Sequence, residues 1–341
     1  MSTKDGRATL ATIASAAGVS VATVSKVVNG RPDVAASTRA HIEQVLRELS
    51  YEPRRNDRHR SQAVALLFHG PLTMYSLELL EGVLGEASGI GVDVVTARTD
   101  IAADRARQRI RERGGVEWQT VIAVTSAASE LATLSRTHVP TVVIDPMGAP
   151  QSEMVSVGAT NFSGGLVATQ HLIELGHRRI AYLGGTSTSA CNQARLQGYR
   201  GAMEAAGART PRGYVRNGSF AYRDGLREGA ALLELAQPPT AIFAANDEMA
   251  LGILEAARTR GIRVPDDLSV VGFDDTEVAR VASPPLTTVA QPLRRMGAMA
   301  LRFALRLGAG EPLDSPHVEL ATELMVRDST APLARSAVAS A

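Results

Sequence analysis

The sequence predicts a small all-α helix-turn-helix module joined to a two-lobed α/β body built on doubly wound parallel sheets. Three observations predict it. Residues 17–30, AGVSVATVSKVVNG, read as the end of a helix, a tight turn and a second helix. From residue 63 onward, short apolar runs alternate with helical segments, the rhythm of a parallel sheet. A chain of 341 residues, 45% hydrophobic, is long enough for a small module plus two lobes with cores of their own.

In the first module, Leu10, Ile13, Ala14 and Ala17 recur at helical spacing. Ala17 and Gly18 close that helix, Val19 plugs the bend, and Ser20 is placed to cap the next helix. Val24, Val27 and Val28 give the second helix its inner stripe. Its outer face carries Val21, Ala22, Thr23, Ser25, Lys26 and Asn29, small side chains that fit a major groove. A helical hairpin with no binding role has the same pattern. A third helix is expected over 36–49, with Ala40, Ile42, Val45, Leu46 and Leu49 available to its buried side. The module therefore spans 1–50, and the basic stretch SYEPRRNDRHR makes 51–62 a linker.

The body, 63–332, reads as AVALLF, a helix over 75–88, VDVVTA, a helix over 102–113, TVIAVT and TVVID. Helices over 165–175, 194–206 and 223–235 follow, interleaved with RIAYLGG, then AIFAAN, a helix through Ala256, and LSVVGFDD. The near-continuous Val, Ile and Leu of these strands suits sheets covered by helices on both faces. The tail, 333–341, is small and turn-prone and is expected to be disordered.

Net charge is +1, yet residues 1–60 hold ten Lys or Arg against six Asp or Glu. A local basic module of this kind is drawn to nucleic acid by counterion release. The single cysteine, Cys191, rules out an internal disulfide and a paired-cysteine metal site, and is expected as a free, inert thiol. No apolar run reaches transmembrane length and the N-terminus lacks the pattern of a secretory signal, so no membrane association and a cytoplasmic location are expected. GGTSTSA, 184–190, follows a strand like a phosphate cradle, but it has neither GxGxxG nor a GK[ST] ending. HExxH and GxSxG are absent as well, so no enzyme, cofactor or metal is expected.

AGVSVATVSKVVNG, the following TRAHIEQVLRELSYEP, and the order of three helices and a basic connector resemble the DNA-binding headpiece of the LacI family of bacterial transcription regulators. The body, through GLVATQHLIELGHRRIAYLGG, PPTAIFAANDEMALGILEAARTRGIRVPDDLSVVGFDD and SPPLTTVAQPLRRMG, resembles that family's regulatory core, itself periplasmic-binding-protein-like. The resemblance implies a chain that crosses between lobes several times. Lobe 1 would hold about 63–161 and 291–318, and lobe 2 about 162–290 and 319–332, with HVELAT onward in the second. It also implies a homodimer on an approximately palindromic double-stranded operator, controlled by a small-molecule effector. No leucine heptad tail for a tetramer is visible.

On the DNA side, the resemblance puts Val21, Ala22 and Thr23 at base edges. Thr9, Ser20, Ser25, Asn29 and Thr38 are expected at phosphates or positioning the helix, with Lys26 and Arg39 adding charge. Val21 has a second reading, as part of the headpiece core. Relatives carry an Ala-rich hinge helix ending in a leucine that enters the minor groove. This chain has Arg54, Arg55, Asn56, Asp57, Arg58, His59 and Arg60, with no apolar wedge. Arg54, Arg55 and Arg58 are read either as binding phosphates or a narrow minor groove, or as a solvated linker.

On the effector side, ligands of open parallel sheets bind beyond the carboxyl ends of strands. Asp145, Phe162, Arg195, Phe220, Asn246 and Asp274 match effector positions of the family, and Tyr75, Ser126 and Cys191 fall on the same expected rim. Carboxylates, an amide and a guanidinium suit paired hydroxyls and an aromatic covers a C–H face, so the expected effector is a mono- or oligosaccharide, with a nucleobase or a protein corepressor as alternatives. Each residue has a plainer reading. Asn246 and Asp274 also fit helix caps, Asp145 a turn before Pro146, Arg195 an exposed ion pair, Phe162 core packing, and His177 a helix end. A sugar-binding transport protein would share the body but carry an export signal in place of the headpiece.

Overall fold

Residues 9–28, 34–49, 51, 63–99, 120–125, 128–136, 138–148 and 154–333 are described by the computed structural model. The chain divides into two units, 1–60 and 61–341. Among the described residues of the first are three helices: α1 (Leu10–Ala17), α2 (Val21–Val28) and α3 (Ala36–Glu48). Thr9 and Thr12 close a reciprocal capping box at the start of α1. Its end needs Gly18, whose φ of +63° lets its N–H turn back to the Ala14 and Ser15 carbonyls. The chain then bends so that α1 and α2 lie at 108°, and Ser20 Oγ accepts the Thr23 N–H at 3.1 Å to start α2. Ile13, Val24, Val27, Ile42 and Val45 form the core, with Val19 packed beside them. Ala40, expected on the buried side of α3, is exposed because it sits about 200° around the helix from Ile42. Leu49 is 40% exposed at the C-cap.

Two sheets organise the second unit. The first contains β1 (Ala63–Phe68), β2 (Asp93–Arg98), β3 (Thr120–Val124), β4 (Thr141–Ile144), β5 (Val155–Ala159) and β11 (His317–Leu320) in the order β2-β1-β3-β4-β5-β11, all parallel. The second contains β6 (Ile180–Gly184), β7 (Val215–Asn217), β8 (Ala241–Ala244), β9 (Ser269–Asp274), β10 (Thr287–Ala290) and β12 (Glu323–Met325) in the order β7-β6-β8-β9-β10-β12. It is parallel except for β12 against β10. Among the described residues the helices are α4 (Met74–Ile90), α5 (Ala128–Ser135), α6 (Asn161–Glu174), α7 (Ala190–Ala205), α8 (Tyr222–Leu233), α9 (Asp247–Arg258), α10 (Glu277–Val281) and α11 (Leu293–Gly308). The helix expected over 102–113, the linker 52–62 and the tail 334–341 fall outside the described residues.

Both faces of the second sheet are covered, which explains its unbroken apolar strands. Ala181, Leu183, Ile242 and Ala244 pack into one core, and Ile180, Tyr182, Ala241 and Phe243 into another. The first sheet buries Val64, Leu66, Ile122 and Ile144 under α4 and α11. Helix pairs close on glycines. A Cβ on Gly165 of α6 would lie 2.3 Å from the Arg195 carbonyl oxygen, and one on Gly198 of α7 2.2 Å from that of Phe162. Only glycine allows this backbone approach, and it sets where α7 carries Arg195.

The chain passes between the lobes after Ala159, after Ala290 and again after Leu320. The last crossing corrects an expectation. His317–Leu320 pairs with β5 in the first lobe, and only Glu323–Met325 reaches the second. An apolar-alternating strand carries no mark of which sheet edge it will join. The crossings touch, for Thr322 N–H donates to Thr160 Oγ1 at 3.0 Å. Residue 333, expected to begin the disordered tail, is tied down, since its N–H donates to the Leu175 carbonyl at 2.8 Å. His177, expected as a helix-end residue, is buried, with ring nitrogens on Thr240, Ser269 and the Ala331 carbonyl.

Candidate ligand-binding cleft

Both sheets have the strand order 2-1-3-4-5, which leaves a crevice at the carboxyl ends where the order reverses. A cavity of about 400 Å³ lies there, lined by both lobes. From the first come His69, Gly70 and Pro71 after β1, Thr73, Tyr75 and Ser76 at the start of α4, Thr125 after β3, and Asp145 and Met147 after β4. From the second come Thr186, Ser189, Cys191 and Arg195 after β6, Ser219 and Phe220 after β7, Asn246 after β8, and Asp274 at the end of β9.

Arg195 is the centre of the second-lobe wall. Arg195 is 3% exposed, and its guanidinium carbon stands over the Phe273 ring, 3.7 Å from the centroid. Its Nε donates to Asn161 Oδ1 at 2.8 Å, Nη1 donates to the Ala245 carbonyl, and Asp274 Oδ1 stands 3.8 Å away. Asp274 Oδ1 accepts from Gln291 Nε2 at 2.7 Å, which ties the site to the second crossing. Burial pushes the Asp274 carboxyl well above the usual carboxylate range, against the opposing pull of Arg195. Behind it, Asp247 is fully buried and accepts from Thr276 N–H at 2.8 Å and from the Thr276 and Thr288 hydroxyls. Burial still lifts it to about 7.

The first-lobe wall is built on Asp145, whose Oδ2 accepts the Tyr75 hydroxyl at 2.6 Å. Burial raises this carboxyl too, while Tyr75 and Arg195 hold it down. His69 pairs with Glu130 at 2.9 Å on the same rim. Among the described residues, two hydrogen bonds join the lobes across the cleft. Met74 N–H, opening α4, donates to Glu248 Oε1 at 3.1 Å, and Ala190 N–H, opening α7, donates to the Met147 carbonyl at 2.9 Å.

Among the described residues, those other than glycine with φ above zero are Thr125, His138, Asp145, Phe220, Asp274 and Asp275. Four of these six line the cavity, and strained backbone gathered in one place marks a site held against its own local preference.

Of the residues the sequence singled out for the effector side, Tyr75, Asp145, Cys191, Arg195, Phe220, Asn246 and Asp274 line this cavity. Phe162 does not. It is 50% exposed on α6, outside the lining, so neither ring stacking nor core packing describes it. Ser126 lies outside the described residues. Asn246 lines the cavity and is also the cap of its plainer reading: its Oδ1 accepts the Met249 N–H at 3.0 Å to start α9, while its Nδ2 donates to the Phe220 carbonyl. Asp274 is no cap, because Thr276 begins α10. The exposed-pair reading of Arg195 fails on its burial. Sequence reasoning passed over Thr73, Thr125, Thr186 and Ser219, although each follows a strand on the rim where that rule directs attention.

On the N-terminal unit, Ser20, Val21, Ala22 and Lys26 are exposed on one side of α2, with Thr23 and Ser25 partly so. Val21 is 47% exposed and outside the core, which removes its second reading. Thr9 is exposed, and Thr38 and Arg39 are half-buried on α3. Asn29, Arg54, Arg55 and Arg58 lie outside the described residues.

Residues 9–54 match the family described as bacterial regulatory proteins, lacI family, and residues 169–330 match the periplasmic binding protein-like domain. The transcriptional regulator DegA of Bacillus subtilis is 34% identical over 336 residues, covering 96% of this chain and 99% of the relative. The structure of the regulator CelR in complex with cellobiose aligns at a TM-score of 0.73 and 35% identity, covering 95% of this chain and all of the other. The lac repressor dimer bound to operator and an anti-inducer aligns at 0.76 and 28%, covering 95% and 99%. With headpiece, two-lobed body and full-length relatives in agreement, the chain belongs to the LacI family of bacterial transcription regulators.

Proposed function

We propose that this chain represses sugar-utilisation genes by binding an approximately palindromic operator as a homodimer, with an affinity set by a small saccharide in the cleft. The observation that carries the effector half is the convergence, from both lobes, of buried carboxylates, an amide and a guanidinium on one cavity at the switch point. Asp145, Arg195, Asn246 and Asp274 bond paired hydroxyls, and Phe220 covers the C–H face of a ring. The CelR complex, in which a relative holds cellobiose, supports this class of ligand. Its site of action is the cytoplasm, where the operator is.

The DNA half rests on α2. Val21, Ala22 and Thr23 meet base edges, while Ser20, Ser25 and Lys26 meet phosphates and fix the register. A ligand that touches both walls favours the arrangement in which Met74 N–H reaches Glu248 and Ala190 N–H reaches Met147. It shifts the population of lobe arrangements by its differential affinity, and operator affinity follows. A lac repressor dimer on its operator supports the two-fold arrangement.

A mobility-shift assay on the gene's own upstream DNA, repeated with a panel of mono- and disaccharides, tests both halves. Expected are a retarded complex that random duplex does not compete away and at least one sugar that changes its midpoint. Equal binding to random duplex, with and without sugars, ends the reading.

A further inference from the structure

Building on the saccharide reading, we infer that the cleft selects an uncharged sugar and rejects its phosphate ester or uronic acid. The charges on the cavity wall carry the argument. Among the described lining residues Arg195 is the single arginine or lysine; its Nε donates to Asn161 and its Nη1 to the Ala245 carbonyl, Asp274 stands 3.8 Å from Nη1, and Phe273 lies against the guanidinium. A phosphoryl group is held best by two parallel N–H groups, and with Nε and Nη1 already engaged Arg195 has only its remaining hydrogens to offer, enough for a sugar hydroxyl. His69, the other lining base, is paired with Glu130.

Asp145 and Asp274 face the same cavity and burial raises both carboxyls, so a phosphate beside them meets either like charge or carboxyls that must stay protonated, a cost an uncharged sugar does not carry. The helix starts on the rim, which elsewhere attract anions, are filled from within. Glu248 accepts the opening N–H of α4, Met147 accepts that of α7, and Asn246 caps α9. The rest of the wall is rich in hydroxyls: Thr125 and Thr186, with Thr73, which caps α4, and Ser219, which donates to Asp224.

This choice places the effector in a reaction sequence. The regulator reads the sugar before any phosphoryl transfer, so the reactions that remove the signal are those that consume a free saccharide, namely phosphorylation or glycosidic cleavage. A phosphorylated product does not substitute for it.

Thermal shift and titration calorimetry on the full-length protein decide this, using glucose, trehalose and sucrose each beside its 6-phosphate, cellobiose, lactose and maltose, and inorganic phosphate against chloride at equal ionic strength. Expected is a stabilising free sugar whose phosphate binds at least about thirtyfold more weakly, with no phosphate-specific shift. Glu248→Gln keeps an oxygen for Met74 N–H but removes a negative charge near the rim, so it narrows that ratio about threefold. A purely structural Glu248 leaves the ratio unmoved, which counts against the inference. A phosphate ester that binds as well as its parent sugar, or stabilisation by inorganic phosphate, overturns the inference and leaves the regulator reading standing. Silence from every sugar and ester defeats the saccharide reading itself, and anion rejection is then decided by the inorganic phosphate arm alone.

Discussion

The N-terminal unit and the cleft hold the side chains proposed for DNA and ligand in opposite ways. On α2 they are exposed, close together in sequence, and supported from behind by a core of neighbours within about 35 residues, such as Ile13, Val24 and Ile42. In the cleft Asp145, Arg195, Asn246 and Asp274 are buried, drawn from positions as far apart as 145 and 274, and supported by one another and by partly buried Tyr75. The first arrangement depends on packing and the second on electrostatics. Damage to either should therefore stay in its own unit and have its own signature.

The largest effect is expected where the electrostatics are most enclosed. Arg195→Ala leaves Asp274 buried without its cation and Asn161 Oδ1 without its donor, which costs about 3–5 kcal/mol. Urea unfolding followed by far-UV circular dichroism should show the core transition moving to lower denaturant by that amount. Amide exchange at Ile13, Val24 and Ile42 should not change. A core transition that stays put would mean the guanidinium is not the keystone of the second-lobe wall.

Next comes the packing of the small unit. Ile42→Ala removes a fully buried side chain from its core, a loss of about 2–5 kcal/mol. A module this small has little more stability than that. The variant should lose its retarded operator complex while the core keeps its melting temperature and its sugar response. Operator binding that survives would show that the duplex refolds the unit or that contacts elsewhere dominate.

The same contrast explains what the sequence disclosed. The turn at Gly18, the cap at Ser20 and the buried stripe of α2 were legible because each is a local device, settled within one or two helical turns. The strands of the second lobe were legible because burial on both faces leaves a continuous apolar run. The lobe to which His317–Leu320 belongs was not, since partner choice is made across more than 150 residues of chain. In the cleft, Asn246 and Asp274 stood out as polar residues closing apolar runs. Phe162 misled because a Phe in NFSGG has no period to say which way it faces. The Gly165 and Gly198 contact that fixes Arg195 was invisible, because a glycine in a helix reads as weakness until its partner is known.

A gentler effect tests whether the electrostatics of the cleft extend behind its walls. Burial raises Asp247 to about 7 from the ordinary 3.8, so the folded core binds a proton that the unfolded chain has already released. Stability from this group is fully present below pH 3.8, falls as pH rises through the window, and is gone above about 7, with a slope of at most about 1.4 kcal/mol per pH unit. Asp145, Asp274 and Glu248 are shifted in the same direction. Denaturant midpoints between pH 4.5 and 7.5 should fall with pH for the core and fall less steeply in Asp247→Asn. A slope unchanged by that substitution would assign the titration to the other three.

The smallest effect separates support from recognition at one residue. Ser20 Oγ holds the Thr23 N–H at 3.1 Å, yet the side chain is exposed, on the side of α2 proposed to meet phosphates. Ser20→Ala loses the cap and any phosphate contact together, about 1 kcal/mol of stability plus a drop in affinity, and so cannot distinguish them. Ser20→Asp can, because aspartate caps as well as serine and suits the positive end of the helix while opposing a phosphate. If Ser20 serves both purposes, amide exchange across α2 stays at the native rate in Ser20→Asp while operator affinity falls at least about tenfold and becomes less sensitive to salt than in the parent, because salt screens the new repulsion. If it is only a cap, Ser20→Asp binds operator as the parent does, and the exposed face of α2 begins its readout at Val21.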